Sequence, residues 1–564
     1  MGPRRLFSQS SSPERGEASP QSAQKRRTTD TTTAPPGPAT SQIETSVNPA
    51  HSGLELYGLP PLSGDAMGSS EGPGLPRAPP PREPDWATFL RATLSRTFLG
   101  SPADGQVPQL RPLILHSGFS GMHSHSRALQ ELRIQAHEVA GAEPKPTAQK
   151  LARLNGLWPE HLFNDVRTII RREVAQCATC QSECHAPQAP PDLFLAGFSC
   201  QPFSPMRGKH STTVPPSKHP KFDGLLLMVQ YMKAWQPPLA LLENSVGIGR
   251  ANVDFRGTLA DPAATDDYDD EETAESPEET APDPKMPLQW LRQELGAIGY
   301  SVSWARLEAT PWVAMRRPRY WIFIVKDQLG GALAAEEACR LAHHIEALRR
   351  ERPPASLQDL MSPTESQELK EHLWQLALHQ EAVGGRGGRP PPELPSWQKQ
   401  AMKEREQWRA LGRPGHDAHP LSAARLVGLS RTPRHIEVLE IYLLRACFAQ
   451  NLNPLLPADL ARAKRDLTMD VTQNPSWTKS SPGTMASFTR GSAVYSFQED
   501  RVLGPQELLR LMGWIGGALT GDLSLRDVRD LVGEAQALPS LATALAALLL
   551  ATRSALPAVW PREP

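Results

Sequence analysis

The chain has few cysteines, few aromatic residues and no long hydrophobic run. Six cysteines among 564 residues are too few for a disulfide framework, so a reducing compartment is expected. The most apolar run, residues 541–551, is too short to span a bilayer and predicts a buried helix. No charged segment followed by an apolar core and a cleavage site stands near residue 1, which argues against a secretory signal. These absences predict a soluble intracellular protein with no membrane partner.

An excess of charge of one sign is also missing. The 60 Lys and Arg residues and the 61 Asp and Glu residues leave a net charge of −1, so the chain as a whole does not attract nucleic acid. Any contact with phosphates must come from local basic patches. Hydrophobic residues make up only 39% of the chain, beside 57 Pro and 40 Gly, which predicts that part of the chain does not pack into a core.

Two segments have the composition of unpacked chain. Residues 1–85 are rich in Ser, Pro, Gly and Thr and predict a disordered tail. The basic triplet at 25–27 in this tail is either a nuclear localisation signal or an ordinary charged stretch. As a localisation signal it makes the nucleus the expected location. Residues 261–283 are strongly acidic and predict a solvated, mobile loop.

From residue 86 onward, short apolar runs alternate with helical segments. The runs at 113–115, 193–196 and 239–242 have the length and composition of buried strands. Strands that alternate with helices predict an α/β fold with a doubly wound, mostly parallel sheet. The predicted organisation is a main domain at 86–327, interrupted by the acidic loop, a variable and mainly helical region at 328–475, and a return to the main domain at 476–564.

A thiol follows one of the predicted strands. The apolar run 193–196 leads directly into Gly-Phe-Ser-Cys-Gln-Pro-Phe-Ser at residues 197–204. Gly197 allows the chain to turn sharply, and Pro202 restricts the backbone beside the thiol. A strand that ends at glycine and then presents a cysteine is a common way to hold a nucleophile. Cys200 is therefore the candidate nucleophile.

Residues 197–204 resemble the nucleophile loop of DNA cytosine-5 methyltransferases, Gly-Phe-Pro-Cys-Gln-Pro-Phe-Ser, with Ser199 in place of the usual Pro. Two further motifs follow in the family's order. Glu243 begins Glu-Asn-Ser-Val, which is similar to the family's Glu-Asn-Val, and Arg317 and Arg319 match its Gln-x-Arg-x-Arg, with Met315 in place of Gln. The family therefore implies a doubly wound S-adenosylmethionine-dependent methyltransferase fold, in which 328–475 is an inserted target-recognition region.

The resemblance also implies a chemical role for each matching residue. Attack of the Cys200 thiolate on carbon 6 of cytosine makes carbon 5 nucleophilic, and an acid near ring nitrogen 3 must stabilise the resulting charge. Glu243 follows an apolar run, at the strand end where open α/β sheets bind ligands, and partial burial there would raise its pKa. The resemblance assigns both arginines to the cytosine carbonyl and to holding the nucleophile loop. It implies that the flipped base is also contacted by Gln201, Pro202, Ser204 and Asn244.

A pocket for the methyl donor is implied at residues 117–123, Ser-Gly-Phe-Ser-Gly-Met-His, which are similar to the family's Asp-x-Phe-x-Gly-x-Gly. Phe119 and Gly121 match, whereas Ser117 and His123 replace Asp and Gly. An imidazole at position 123 is expected to narrow the pocket or to force the loop outward.

Three further positions complete the implied site for S-adenosylmethionine. Glu143 corresponds to the acid that binds the ribose hydroxyls, and Asp165 to an acid that faces the adenine. Gly533 begins Gly-Glu-Ala, which is similar to the family's last motif, with Glu534 in place of Asn.

Three functions remain possible. The first hypothesis is an active DNA cytosine-5 methyltransferase that flips its target base out of double-stranded DNA. Basic residues at 386–434 would then hold phosphates, unless they belong to an ordinary solvated helix. The second is a catalytically inactive relative that binds DNA, which the departures at Ser117, His123 and Glu534 would favour. The third is a transfer-RNA cytosine methyltransferase on the same scaffold.

One cluster of potential metal ligands stands apart from these motifs. Cys177, Cys180, Cys184 and His185 lie within nine residues, and a Cys-x-x-Cys pair with further ligands can hold zinc. Four ligands in so short a segment would need a very tight loop, and adjacent Cys184 and His185 suit a tetrahedron poorly. We therefore predict no bound metal and free thiols at this place, with zinc as the alternative.

Overall fold

The computed structural model describes most of the chain from Asp85 onward. The described residues are 85–98, 111–203, 220–249, 286–354, 356–362, 366, 369, 396–422, 424–429, 432–473, 483–514 and 518–553. The predicted tail up to residue 84, its basic triplet at 25–27 and the acidic loop at 261–283 lie outside the described residues.

A nine-stranded sheet forms the centre of the main domain, in the order β5-β4-β3-β2-β1-β6-β7-β9-β8. Its strands are β1 Leu113–Gly118, β2 Ala136–Ala142, β3 His161–Phe163, β4 Val174–Cys177, β5 Ser182–His185, β6 Leu193–Ala196, β7 Leu239–Ser245, β8 Tyr300–Leu307 and β9 Arg319–Lys326. The five central strands β3, β2, β1, β6 and β7 run parallel. At one edge β9 runs antiparallel between β7 and β8, and at the other β4 and β5 form an antiparallel hairpin. The predicted doubly wound, mostly parallel sheet is confirmed.

Helices pack on both faces of this sheet. In the main domain they are α1 Asp85–Phe98, α2 Ser124–Glu131, α3 Pro146–Leu154, α4 Val166–Arg171, α5 Asp223–Trp235, α6 Pro287–Gly296, α7 Gly331–Arg350, α8 Leu357–Leu360, and, further along the chain, α12 Pro505–Leu511, α13 Leu525–Glu534 and α14 Leu538–Ala551. One hydrophobic core includes residues of α1, α2, α7 and α14, and a second includes residues of α4, α5 and α6. Because both faces are covered, the central strands are apolar on both sides, which is why they read as continuous hydrophobic runs.

The helix predicted near the carboxyl terminus is a core element. Every residue of α14 from Leu538 to Leu550 is buried, and the helix contacts α1, α2 and α7. The stretch Leu525–Ala551 is long and apolar enough to cross a membrane by length and composition alone, but 83% of its most apolar window is buried inside the protein. The prediction of a buried helix is confirmed.

A smaller third core lies between α7 and α12 in the sequence. It includes residues of α10 Pro433–Ala449 and α11 Pro457–Lys464 and of a three-stranded antiparallel sheet, β10 Thr468–Asp470, β11 Val494–Ser496 and β12 Arg501–Val502. Helix α9 Ser396–Ala410 packs on α10. Helix α7 falls in the predicted variable region 328–475, yet it packs on β8 and α14 of the main domain.

Several arginines of this smaller core pair within the protein. Arg405 contacts Glu437 at 3.0 Å and Glu440 at 3.2 Å, and Arg409 contacts Asp417 at 3.0 Å. Arg405 and Arg409 are among the predicted phosphate ligands, and in these ion pairs their charges are paired within the protein. At these positions they favour the interpretation of an ordinary helix surface.

Candidate active site

A pocket opens where the chain reverses its direction of travel across the sheet. From β1 the chain proceeds outward to β2 and β3, and it returns to β6 on the other side of β1. Open α/β sheets bind ligands at the carboxyl ends of the strands at such a switch point. The walls of this pocket include Gly118–Ser120 at the end of β1, Gly197 after β6, and Gln536.

The loop that carries Cys200 is fixed at both ends. Asn244, at the end of β7, donates through Nδ2 to the carbonyl of Phe198 at 3.0 Å. Within the loop, the amide of Phe203 donates to the Cys200 carbonyl at 3.0 Å. Phe203 and Phe198 are both buried, so their rings anchor the turn while the thiol is only partly covered. Gln201 and Pro202 lie in this turn, and Ser204 lies outside the described residues.

Two polar side-chain ends lie close to Gly197. A Cβ atom at this position would lie 2.8 Å from Nε2 of Gln536 and 3.3 Å from Oε2 of Glu243. Gln536 also hydrogen-bonds to the Glu243 carboxyl. Gln536 stands directly after the predicted Gly-Glu-Ala motif at 533–535, but no pattern in the sequence pointed to it as a site residue.

Glu243 and Arg319 form the charged pair of the site. Arg319 Nε lies 3.0 Å from Oε1 of Glu243, on the antiparallel neighbour β9. Burial raises the pKa of Glu243, and the positive charges of Arg319 and Arg317 reverse only part of that rise. The carboxyl therefore retains a proton at higher pH than an exposed glutamate does.

The thiol of Cys200 shares this electrostatic environment. Burial raises its pKa, Arg319 acts in the opposite direction, and the negative charge of Glu243 adds to the rise. The group at rest is therefore a neutral thiol, and a proton has to leave before it can act as a nucleophile.

Arg317 faces backbone carbonyls in the structure. It is buried and donates to the carbonyls of Phe488 at 3.2 Å, Gly533 at 3.1 Å and Ala535 at 2.6 Å. Burial lowers its pKa to about 9, with Arg319 acting in the same direction. Arg317 and Arg319 belong to one sequence motif but have different partners. Arg319 pairs with the Glu243 carboxyl, and Arg317 connects the start of β9 to the carboxyl-terminal segments.

The loop after β1 is held by Glu143. The carboxylate accepts from the amide of Gly121 at 2.7 Å and from that of Lys145 at 2.9 Å. Phe119, Gly121 and His123 all have positive φ angles, between 53° and 55°. His123 therefore adopts a left-handed backbone conformation that glycine takes easily and that side chains with a Cβ rarely adopt.

The His123 imidazole points away from the pocket. It is buried, with Nδ1 3.4 Å from Oε2 of Glu138, and His125 Nε2 lies 3.1 Å from the other carboxylate oxygen. Ser117 also donates to Glu138. Burial alone would raise the pKa of Glu138, but His125 and His123 hold it well below its usual range. The pocket wall contains His125 and not His123, so the expected crowding by His123 does not occur.

Asp165 and Glu534 have partners that sequence reasoning did not anticipate. Asp165 caps helix α4, since its carboxylate accepts from the Arg167 amide at 2.9 Å, and its side chain is half-exposed at the carboxyl end of β3. Glu534 forms ion pairs with Lys145 and, at 2.9 Å, with Arg490. These contacts tie the carboxyl-terminal motif to the loop after β2.

Gly533 is needed for backbone packing. A Cβ atom here would lie 2.5 Å from the carbonyl group of Thr489 and 2.6 Å from the Arg490 nitrogen, and backbone atoms cannot turn aside as a side chain can. We expect Gly533→Ala to lower the free energy of unfolding by about 1–3 kcal/mol. Gly296, at the end of α6 with open space around it, is the control, and Gly296→Ala should be neutral or slightly stabilising. Equal denaturation midpoints for the two variants would contradict the packing role of Gly533.

Comparison with known proteins finds similar solved structures. No protein-family profile matches the sequence, and no curated protein does. The chain is similar to the S. pombe Dnmt2 methyltransferase, with 13% identity over 78% of this chain and 98% of that one, and a TM-score of 0.34. At this identity and TM-score the likeness assigns no activity, and the function has to be inferred from the residues of the site.

Proposed function

We propose that this protein transfers a methyl group from S-adenosylmethionine to carbon 5 of a cytosine in double-stranded DNA, through a covalent adduct on Cys200. The observation that carries the proposal is the convergence of Cys200, Glu243 and Arg319 beside a pocket at the switch point of the sheet. These residues come from three separate motifs of the sequence.

Each of the three residues has a step to perform. Carbon 5 of cytosine becomes nucleophilic only after a thiolate has added to carbon 6, and Cys200 supplies that thiolate. Burial raises the pKa of Glu243, so its carboxyl takes up a proton more readily than an exposed glutamate does and can share it with ring nitrogen 3 as negative charge develops there. Arg319 orients the carboxyl and lowers the pKa of the thiol relative to burial alone.

Three residues at this edge of the sheet suit S-adenosylmethionine, which supplies an activated methyl group when bound. Phe119, Glu143 and Asp165 follow β1, β2 and β3, so all three lie at the same edge of the sheet as Cys200. Each carboxylate oxygen of Glu143 accepts one backbone amide and retains a second lone pair for a ribose hydroxyl. Phe119 lies in the pocket wall, where it can cover the apolar part of the donor.

A transfer-RNA substrate is the second candidate. The intramolecular ion pairs of Arg405 and Arg409 reduce the positive charge that this region offers to the phosphates of DNA and of transfer RNA alike, so they favour neither substrate. The length of 328–475 favours DNA, because it provides room for a target-recognition region. The inactive DNA-binding relative is the third candidate, with Ser117 and Glu534 as its support, since the His123 ring lies away from the pocket.

Transfer of a tritiated methyl group distinguishes these candidates. The full-length protein is incubated with labelled S-adenosylmethionine and either unmethylated duplex DNA or unmodified transfer RNA. We expect label in the duplex, recovered as 5-methylcytosine after hydrolysis. Label in transfer RNA alone would replace DNA by RNA as the substrate, and no label in either, with a folded protein, would support the inactive relative.

A further inference from the structure

A group of four metal-ligating side chains lies at the opposite edge of the sheet from β7–β9. The ligand atoms of His161, Cys177, Cys180 and Cys184 all lie within 4.8 Å of one another. Tetrahedral zinc, with Zn–S bonds of about 2.3 Å and Zn–N bonds of about 2.0 Å, requires S···N separations of about 3.6 Å and S···S separations of about 3.8 Å. His161 Nδ1 lies 3.9 Å from the sulfur of Cys177 and 3.7 Å from that of Cys180. We propose that these four residues, the zinc-ligand cluster, form a structural zinc site.

The β4–β5 hairpin brings the three sulfurs together. Cys177 pairs with Ser182, and Cys184 pairs with Ala175, so the even spacing of side chains along a strand places Cys177 and Cys184 on one face. Cys180 lies in the turn between the strands, and its amide donates to the Cys177 sulfur at 3.4 Å. Such a bond suits a thiolate that carries negative charge.

The fourth ligand differs from the one that the sequence suggested. His185 follows Cys184 directly in β5, so its side chain projects from the opposite face, where it is exposed. His161 lies on the neighbouring strand β3, which pairs antiparallel with β4 through Phe163 and Cys177. The difficulty of four ligands within nine residues therefore disappears, and with it the reason for predicting no metal.

The outer nitrogen of His161 has a carboxylate beside it. While Nδ1 faces the sulfurs, Nε2 lies 3.8 Å from Oε1 of Glu160. Histidines that bind zinc commonly direct their second nitrogen to a carboxylate, which orients the ring and makes it a better ligand.

The ligand set indicates a structural role. Three cysteines and one histidine fill all four positions of zinc, so no position is left for a substrate. The bound ion would cross-link β3, β4 and β5, the short edge strands of the sheet. Since β3 leads into Asp165 and α4, the ion would also stabilise that end of the candidate cofactor pocket.

The metal content of the full-length protein tests the proposal. The protein is purified without a polyhistidine tag and without chelators, and metals are measured by inductively coupled plasma mass spectrometry. We expect about one zinc per chain in the parent, and at least a tenfold loss in Cys184→Ser and His161→Ala. His185→Ala and Cys339→Ser are the matched controls and should keep the metal, because His185 faces away and Cys339 lies on α7.

Two further measurements test the proposed zinc site if a variant fails to fold. X-ray absorption at the zinc edge of the parent protein should show three sulfur neighbours and one nitrogen neighbour at the bond lengths given above. His161→Cys, which supplies a fourth thiolate, should retain zinc. A parent without zinc, a disulfide among these cysteines, loss of zinc in His185→Ala alone, or a nitrogen- and oxygen-rich zinc environment would each overturn the proposal.

Discussion

Cys200→Ala is expected to abolish methyl transfer, lowering kcat by about 10³-fold or more, while the protein still folds and binds its nucleic acid. The reason is chemical: without a thiolate nothing adds to carbon 6, and the remaining groups of the site only position the ring and stabilise charge. The side chain is only partly buried, and the loop is held by the Asn244 bond to Phe198, which the substitution leaves in place. Folding should therefore be unaffected.

The measurement is the tritium transfer assay with the variant and its parent side by side, together with a binding titration on the same duplex. Cys339→Ser is the control for cysteine loss, because the Cys339 thiol donates to the Trp304 carbonyl on β8, away from the Cys200 loop. It should transfer label at the parental rate. Equal rates in Cys200→Ala and the parent would mean that Cys200 is not the nucleophile, whatever the reaction.

Arg317→Ala is expected to destabilise the protein by about 3–5 kcal/mol, a large fraction of the stability of an ordinary domain. The side chain donates to three carbonyls from two separate segments, Phe488 and Gly533–Ala535, and is fully buried. Its removal would leave those carbonyls buried without a donor and create a cavity between β9 and the carboxyl-terminal segments. Activity should fall as well, because Gln536 directly follows the released segment and contacts Glu243.

Chemical denaturation of Arg317→Ala and Arg316→Ala provides the comparison. Arg316 is the adjacent residue and is exposed, so its loss should shift the midpoint little. Arg317→Lys should recover only part of the stability, because one ammonium group cannot reproduce the planar set of donors that reaches both segments. If Arg317→Ala unfolds at the same denaturant concentration as Arg316→Ala, the buried hydrogen bonds of Arg317 contribute nothing to stability.

Some features of the candidate site could be predicted because they depend on local sequence. Cys200 and Glu243 each follow an apolar run, and parallel strands end at the same edge of a sheet, so their proximity follows from the strand pattern. The same argument places Phe119 and Glu143 at that edge. These positions required no knowledge of how distant segments pack.

Other features depend on contacts between segments far apart in the chain. Gln536 reaches Glu243 only because α13 and α14 fold back over the sheet. The Glu138 carboxylate contacts the His123 ring only because β2 lies beside the loop after β1. No spacing within a single segment reveals such partners, since they arise from the order of strands and the docking of helices.

The doubly wound sheet, the buried carboxyl-terminal helix and the loop that presents Cys200 could all be predicted from the sequence. Hydrophobic periodicity, strand ends and glycine positions are local properties, so they can be recognised in the sequence. The folded chain was needed to show that Arg317 binds carbonyls while Arg319 faces Glu243, and that His161 rather than His185 lies among the three cysteines. The physical reason is that side-chain partners are set by the pairing of strands and by the face on which each residue lies, and both depend on the whole fold.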